Sequence, residues 1–271
     1  MKRLLRSSAL TLSLLSLCAA VGYARGTHSD DEGCEANHGW DDNRASYAET
    51  REQRLAASST NYVNPGQNGS IRVHGWNNSD VLVKACIQTA ASTDAEAQQM
   101  ASEVTIADGP GQIEAHGPSS HNHRYWNVSY EVWVPNASNL KLEAYNGSVA
   151  VENVRGQIRV HTLNGSVRLN DVNGDIEGST TNGSLNVDLA GNGWTGSGLK
   201  LTTTNGSVRL NLPQNFSARV EASTVNGSVH TDFPITISGD IGKHLNFTLG
   251  SGGPLVEATT VNGSVHISRR A

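Results

Sequence analysis

The segment Leu163-Asn164-Gly165-Ser166-Val167-Arg168-Leu169 contains the motif around which most of this chain is organised. Its central tripeptide, Asn-Gly-Ser, occurs seven times, beginning at Asn68, Asn146, Asn164, Asn182, Asn205, Asn226 and Asn262. From Asn146 onward the steps are 18, 18, 23, 21 and 36 residues, and 36 is twice 18. Repetition at a nearly fixed period is the signature of a stacked repeat architecture. We therefore predict an all-β repeat fold for this part of the chain.

Each repeat has the pattern of a turn followed by a strand. Apolar residues alternate with polar ones after the tripeptide, as in Val167-Arg168-Leu169, which is typical of a strand with one buried face. Asn-Gly accepts the positive φ angles that tight turns require. Weaker turns lie halfway between the copies, at Gly156 and Gly174. The basic unit is thus about nine residues long, and two units make one period of 18.

Two architectures fit this pattern. In a β-solenoid, equivalent turns stack above one another, which explains why Asn-Gly-Ser recurs at every second turn. In an antiparallel meander or sandwich, Asn-Gly closes hairpins. We favour the solenoid and expect its alternating apolar side chains to point inward. These are Val149, Val151, Ile158, Val160, Val167, Leu169, Leu185, Val187, Val208, Leu210, Val265 and Ile267.

The N-terminus has the pattern of a secretory signal peptide over residues 1–24, with a basic end, a short apolar run and small residues before a cleavage site at Ala24. Lipidation of Cys18 is disfavoured because the bulky Leu17 precedes it. The mature chain would keep 17 basic and 25 acidic residues, a net charge of −8. This charge argues against nucleic acid as a partner, and no later apolar run is long enough for a transmembrane helix.

Two cysteines, Cys34 and Cys86, remain after cleavage. An even pair in an exported chain predicts a disulfide, which would close a loop of about 53 residues. The alternative is two free thiols.

The mature chain divides into three regions. Residues 25–61 form an acidic, partly disordered segment, in which 47–57 fits either a short helix or a strand. Residues 62–139 form a cap, with a hairpin of 70–76 and 81–86 and one short helix at 95–104. Residues 140–268 carry the solenoid repeats.

Several of these motifs together resemble a bacterial family. They are the segment 69–76, the Ala-rich helix, Tyr130-Glu131-Val132-Trp133-Val134-Pro135, the serial Asn-Gly-Ser-Val turns, and the Gly-rich 250–253 before the last copy. Over roughly residues 62–268 the chain resembles the bacterial extracytoplasmic family of candidate adhesins, a domain of unknown function. The resemblance implies a fold but supplies no catalytic residues, because the shared motifs are structural.

The candidate binding residues follow from the stacking of the turns. A row of Asn146, Asn164, Asn182, Asn205 and Asn226 would offer donors and acceptors at the strand spacing, unless these side chains satisfy each other. Trp194, in a Gly-rich insertion, is the candidate surface aromatic. Glu152 and Glu177 are acids that could approach one another across the coils. We expect no cofactor and no metal site, since no motif for either occurs.

These features predict an exported, non-enzymatic scaffold or adhesin-like binding module of the cell envelope, periplasmic or at the cell surface. Its partner would be an envelope protein or a glycan. The alternatives are a polysaccharide-acting β-helix enzyme and a purely structural or stress-linked envelope protein.

Overall fold

Asn-Gly-Ser turns carry the chain from one ten-stranded sheet to the other, and different turns return it. The computed structural model describes Cys34 and residues 44–107, 109–120, 124–189, 191, 194–234 and 242–270. The predicted signal peptide lies outside these residues. Apolar side chains from both sheets form one cluster of buried residues, so the main core lies between the sheets.

Both sheets contain parallel and antiparallel pairs. In spatial order the first sheet comprises β1 (Ala45–Ala56), β4 (Asp80–Ala91), β7 (Tyr125–Pro135), β3 (Ile71–Trp76), β9 (Val149–Glu152), β11 (Val167–Val172), β13 (Leu185–Leu189), β15 (Val208–Pro213), β20 (Val265–Arg270) and β17 (Val229–Thr231). The second comprises β18 (His244–Leu249), β16 (Ala218–Asn226), β19 (Leu255–Asn262), β14 (Gly198–Asn205), β12 (Ile176–Asn182), β10 (Ile158–Asn164), β8 (Asn139–Asn146), β2 (Thr60–Asn64), β6 (Gln112–His116) and β5 (Thr105–Ala107).

A strand of the second sheet and the following strand of the first, joined by an Asn-Gly-Ser turn, are termed a rung. In spatial order the rungs are β2–β3, β8–β9, β10–β11, β12–β13, β14–β15, β19–β20 and β16–β17. Neighbouring rungs pair in parallel and in register, so that Asn164 is opposite Asn146 on one side and Asn182 on the other. Parallel pairing excludes the antiparallel meander for these repeats.

The inward residues predicted from the alternation are confirmed. All twelve are at most 2% exposed. Period-two alternation buries one side of each strand, and the parallel register places like residues above one another: Val167 lies between Val149 and Leu185. The core is therefore built of columns of Val, Leu and Ile.

The last rung in the chain is not the last in space. β19–β20 lies between β14–β15 and β16–β17. β18 pairs antiparallel with the outer edge of β16, and the chain then returns on the inner side of β16 as β19. The step of 36 residues between Asn226 and Asn262 therefore contains this crossover, and it does not represent two ordinary periods.

The N-terminal end differs from the predicted cap in one respect. The prediction that 70–76 and 81–86 form a hairpin is wrong, because these segments lie largely in β3 and β4, which do not pair with each other. β7 lies between them, parallel to β3 and antiparallel to β4. β7 buries alternate residues along most of its length, so one of its faces packs on the core. The ambiguous 47–57 segment lies largely within β1.

The predicted helix is confirmed as α1 (Asp94–Glu103). Thr93 caps its N-terminus, and its Oγ1 accepts a hydrogen bond from the Glu96 N–H at 3.2 Å. The helix buries Ala97, Met100 and Ala101 and packs against β1 and β4.

A disulfide joins Cys34 to Cys86 in β4, as the even pair of cysteines predicts. It attaches the chain ahead of β1 to a strand that pairs with both β1 and β7.

Candidate functional site: the Asn-Gly-Ser edge

Seven asparagine side chains form one continuous hydrogen-bonded row, here termed the asparagine ladder. In spatial order it consists of Asn68, Asn146, Asn164, Asn182, Asn205, Asn262 and Asn226. Each Nδ2 donates to the Oδ1 of the neighbour on the Asn68 side, over 2.7–3.0 Å. All six bonds point the same way, so the amide dipoles of the ladder are aligned.

The order of the ladder corrects the one predicted from the sequence. Asn226 does not follow Asn205, because Asn262 lies between them. The ladder also extends at its other end to Asn68. All seven copies of the motif were visible in the sequence, but their order in space depends on the crossover through β18 and on the long insertion between β3 and β8.

The glycines of the motif serve a purpose other than the predicted positive φ. Only Gly69 and Gly263 of the seven have positive φ. At Gly165 a Cβ would lie 2.0 Å from the carbonyl oxygen of Gly147 in the next rung. Real Cβ atoms do not approach a carbonyl so closely, so glycine is needed because neighbouring backbones meet at the turn.

Serine and threonine hydroxyls add two further rows of bonds between rungs. In the first row, each Ser N–H from Ser166 to Ser228 donates to the Ser Oγ of the neighbouring rung over 3.2–3.4 Å, and the Ser148 Oγ accepts the bond from Ser166. On the inner side, a buried threonine two residues before the asparagine donates its hydroxyl to the glycine carbonyl of the next rung over 2.7–2.9 Å. These threonines are Thr162, Thr180, Thr203, Thr224 and Thr260. Side chains therefore satisfy much of the turn backbone.

The ladder still presents hydrogen-bonding groups to the solvent. An asparagine amide has two N–H donors and an oxygen with two lone pairs. An interior member such as Asn164 uses one donor and one lone pair within the ladder. One of each remains per rung, repeated at about the strand spacing of 4.8 Å. Beside the ladder lie exposed apolar residues, including Tyr145 at 54% and Val225 at 55% exposure.

Trp194 does not extend from the surface as the sequence suggested. It is half-buried against the core, with its ring centroid 5.3 Å from that of Phe216. Its indole N–H is buried and has no hydrogen-bond partner among the described residues. The Gly-rich insertion thus folds its tryptophan inward, where burial of the large ring is favourable.

Glu152 and Glu177 are not brought together. Glu152 belongs to β9 in the first sheet and Glu177 to β12 in the second. Glu152 lies 3.6 Å from Nδ1 of His74, and Glu177 lies 3.7 Å from Nε of Arg159. The two acids therefore have separate polar partners on different sheets.

Other acids are also held by local partners. Hydrogen bonds from Lys141 and Tyr62 to Glu143, both 2.9 Å long, lower the pKa of this carboxyl, with that from Lys141 the larger cause. Asp175 accepts bonds from the hydroxyl and the backbone N–H of Ser197, and these lower its pKa. Within the described ranges no group of three or more His, Cys, Asp or Glu residues has metal-binding geometry.

No helix in the described part of the chain has the length and apolar character needed to cross a membrane.

Solved structures with similarity to this chain share little sequence with it. A candidate cell adhesion protein from Clostridium sporogenes is 13% identical, covers 83% of this chain and 100% of its own, and has a TM-score of 0.47. A candidate adhesin from Bacteroides fragilis is 9% identical, covers 83% and 97%, and has a TM-score of 0.37. A candidate lipid binding protein from Parabacteroides distasonis is 10% identical, covers 83% and 97%, and has a TM-score of 0.31.

The family is shown by the sequence. No curated protein shows significant similarity to the chain. Residues 62–268, well over half of the chain, match the profile described as Toastrack DUF4097, over the region where the motifs resembled a bacterial extracytoplasmic family. The chain therefore belongs to the Toastrack DUF4097 family.

Proposed function

We propose that this protein is an exported, non-enzymatic β-solenoid that serves as an adhesin-like binding module of the bacterial cell envelope. The observation that carries the proposal is the stack of seven in-register rungs, which repeats the same exposed amide at each step along one edge. A rigid row of equally spaced donors and acceptors is complementary to a partner that is itself periodic, such as a glycan polymer or a β-strand edge.

Export is supported by the Cys34–Cys86 disulfide, because disulfides form and persist in oxidising compartments outside the cytoplasm. The predicted signal peptide at residues 1–24 agrees with this location. The separation of Glu152 from Glu177 removes the one acidic pair that the sequence offered for glycan hydrolysis, and so supports a binding role over catalysis.

Binding of the mature chain, from Arg25 onward, to isolated cell walls and membranes tests the proposal. Asn164→Asp places a carboxylate beside the Asn146 Oδ1 and removes a donor, so we expect weaker retention in the pellet. Asn186→Asp is the matched control, since it makes the same change in β13 away from the ladder. Equal retention of both variants and wild type, with circular dichroism unchanged, would remove the ladder as the site. Failure of the wild type to bind any fraction would contradict the binding role itself.

A further inference from the structure

A second concave site lies at the opposite edge of the rungs from the asparagine ladder. It is an open cleft of about 450 Å³ where strands of the first sheet end: β3 at Trp76, β7 at Pro135 and β9 at Glu152. Its volume is within the range of small-molecule sites. Neither the predicted asparagine row nor Trp194 contributes to it.

The cleft is lined by an aromatic ring and by planar polar groups. The lining residues that carry these groups are Trp76, Asn77, Asn136, Asn153, Arg155 and Asp171. Several planar hydrogen-bonding groups and one indole ring, converging on one opening, match a ligand that has many hydroxyls and an apolar C–H face.

Local contacts hold these groups in place. The Trp76 indole donates to the carbonyl oxygen of Asp80 at 2.9 Å, and the guanidinium of Arg54 lies over its ring at 5.7 Å. The Asn136 Nδ2 donates to the Asn77 Oδ1 at 2.8 Å, which leaves the Asn136 oxygen and the Asn77 N–H groups for a ligand.

The backbone at the cleft departs from ordinary strand geometry. Asn153 and Asp171 have φ of 58° and 49°, and they are the two non-glycine residues with positive φ in the described part of the chain. Both line the cleft. At Gly75 a Cβ would lie 2.0 Å from the Asn153 carbonyl oxygen, so only glycine permits this close approach. Asn and Asp adopt left-handed backbone more readily than other non-glycine residues, and such backbone often lies at functional sites.

Of the charged residues that line the cleft, Asp171 has an ion-pair partner and Arg155 has none among the described residues. Arg270 bonds to Asp171 over 2.6 Å and neutralises it. The guanidinium of Arg155 is exposed and has no hydrogen bond or ion pair to a described residue. A free guanidinium binds a carboxylate through two parallel hydrogen bonds.

We propose that this cleft binds an acidic saccharide, with Arg155 on the sugar carboxylate and the asparagine amides on its hydroxyls. This inference deepens the proposed binding function by naming a second site and a ligand class, and it rests on that function only for its biological setting. Neutral sugars lack the group that Arg155 would bind, so the cleft should discriminate against them.

Saturation-transfer NMR and calorimetric titration of the mature protein test this with matched sugars. The probes are glucuronic, galacturonic and N-acetylmuramic acid, each beside its neutral counterpart, glucose, galactose or N-acetylglucosamine. We expect at least one acidic sugar to bind and its counterpart to bind about tenfold more weakly or not at all. Arg155→Gln should weaken binding of the acidic sugar by about tenfold or more, because the variant loses a charge-assisted hydrogen bond. Arg168 is an exposed arginine in β11 that does not line the cleft. The control variant Arg168→Gln should therefore bind the acidic sugar as the wild type does.

Two outcomes would overturn the inference: no binding of any acidic sugar at millimolar concentration, or equal binding by Arg155→Gln and wild type. Asn136→Ala provides a check that does not alter charge, and it should weaken the binding of every sugar that the wild type binds. If the wild type is retained by envelope fractions but binds no acidic sugar, the cleft inference alone is overturned. If the wild type binds an acidic sugar but is retained by no envelope fraction, the ladder proposal alone is overturned.

Discussion

At the scale of single residues, the turn glycines tolerate the least change, because the backbones of neighbouring rungs touch there. The column from Gly147 through Gly165 to Gly183 repeats the same contact, with each missing Cβ facing a glycine carbonyl oxygen about one rung away. A methyl group at any of these positions must push two rungs apart.

Gly165→Ala is therefore expected to destabilise the fold by roughly 1–3 kcal/mol, the usual cost of overpacking. The new Cβ would lie 2.0 Å from the Gly147 oxygen, and backbone on both sides restricts relief. Gly109→Ala is the control: a Cβ there meets nothing within 4 Å and φ is not positive, so its effect should be small. The midpoints of urea unfolding measure the stability of both variants. An unchanged midpoint for Gly165→Ala would contradict the close approach of Gly165 to the Gly147 carbonyl.

A histidine pair at the far end of the stack is expected to make stability depend on pH. The rings of His230 in β17 and His266 in β20 stack at 5.1 Å. Burial, followed by the charges of His230 and Arg209, lowers the pKa of His266 below its usual 6.5, against a smaller opposing effect of Asp232. The unfolded chain thus takes up this proton more readily than the folded chain.

The stabilisation associated with His266 should consequently be complete above about pH 6.5 and decline as the pH falls through the lower folded pKa. Thermal melts between pH 8 and pH 5 should show this decline in the wild type. His266→Gln, which cannot be protonated, should show a smaller one. The same slope in both proteins would assign the pH dependence to other groups.

At the scale of elements, the order of the rungs is the feature most open to a direct test. Parallel neighbours lie about 4.8 Å apart, which a disulfide can span, whereas strands two rungs apart are about 9.6 Å apart, which it cannot. Ser228 and Ser264 are in adjacent rungs, with their hydroxyl oxygens 3.1 Å apart. Ser207 is adjacent to Ser264 on the other side.

Cysteine pairs at these serines should report the crossover. Ser228→Cys with Ser264→Cys, and Ser207→Cys with Ser264→Cys, should each cross-link on mild oxidation, as read by peptide mapping. Ser207→Cys with Ser228→Cys should not, because β19–β20 separates them. Efficient cross-linking of this third pair would mean that the rungs follow chain order after all.

At the scale of the whole molecule, the disulfide restrains a long stretch of chain. It joins residues 52 apart and attaches the segment before β1 to β4. The double variant Cys34→Ser, Cys86→Ser should lose about 4 kcal/mol of unfolding free energy, from the loop entropy regained by the unfolded chain. Urea unfolding measures the loss. Wild type treated with reductant should match the variant, and a difference below about 1 kcal/mol would show that the bridge restrains little.

The cysteine pair and the strand alternation were open to prediction because they are local or compositional signals. Val167 and Leu169 are buried because successive side chains of a strand point to opposite faces, one of which packs on the core. The sequence shows this period directly, as an alternation of apolar and polar residues. The helix at Asp94–Glu103 was likewise recognisable from its Thr93 cap and its Ala-rich composition.

The asparagine ladder shows which features local sequence signals cannot predict. The seven like turns, and their suitability for stacking, could be predicted from the residues alone. The position of Asn262 between Asn205 and Asn226, and that of β7 between β3 and β4, could not, because both depend on how the folded chain is arranged in space. All rungs present nearly the same edge to a neighbour, so their local pairing energies hardly distinguish one order from another. The order is set by long-range closure through β18 and by the insertion after β3. For the same reason the cleft at Arg155, which draws residues from strand ends far apart in the chain, had no signature in the sequence.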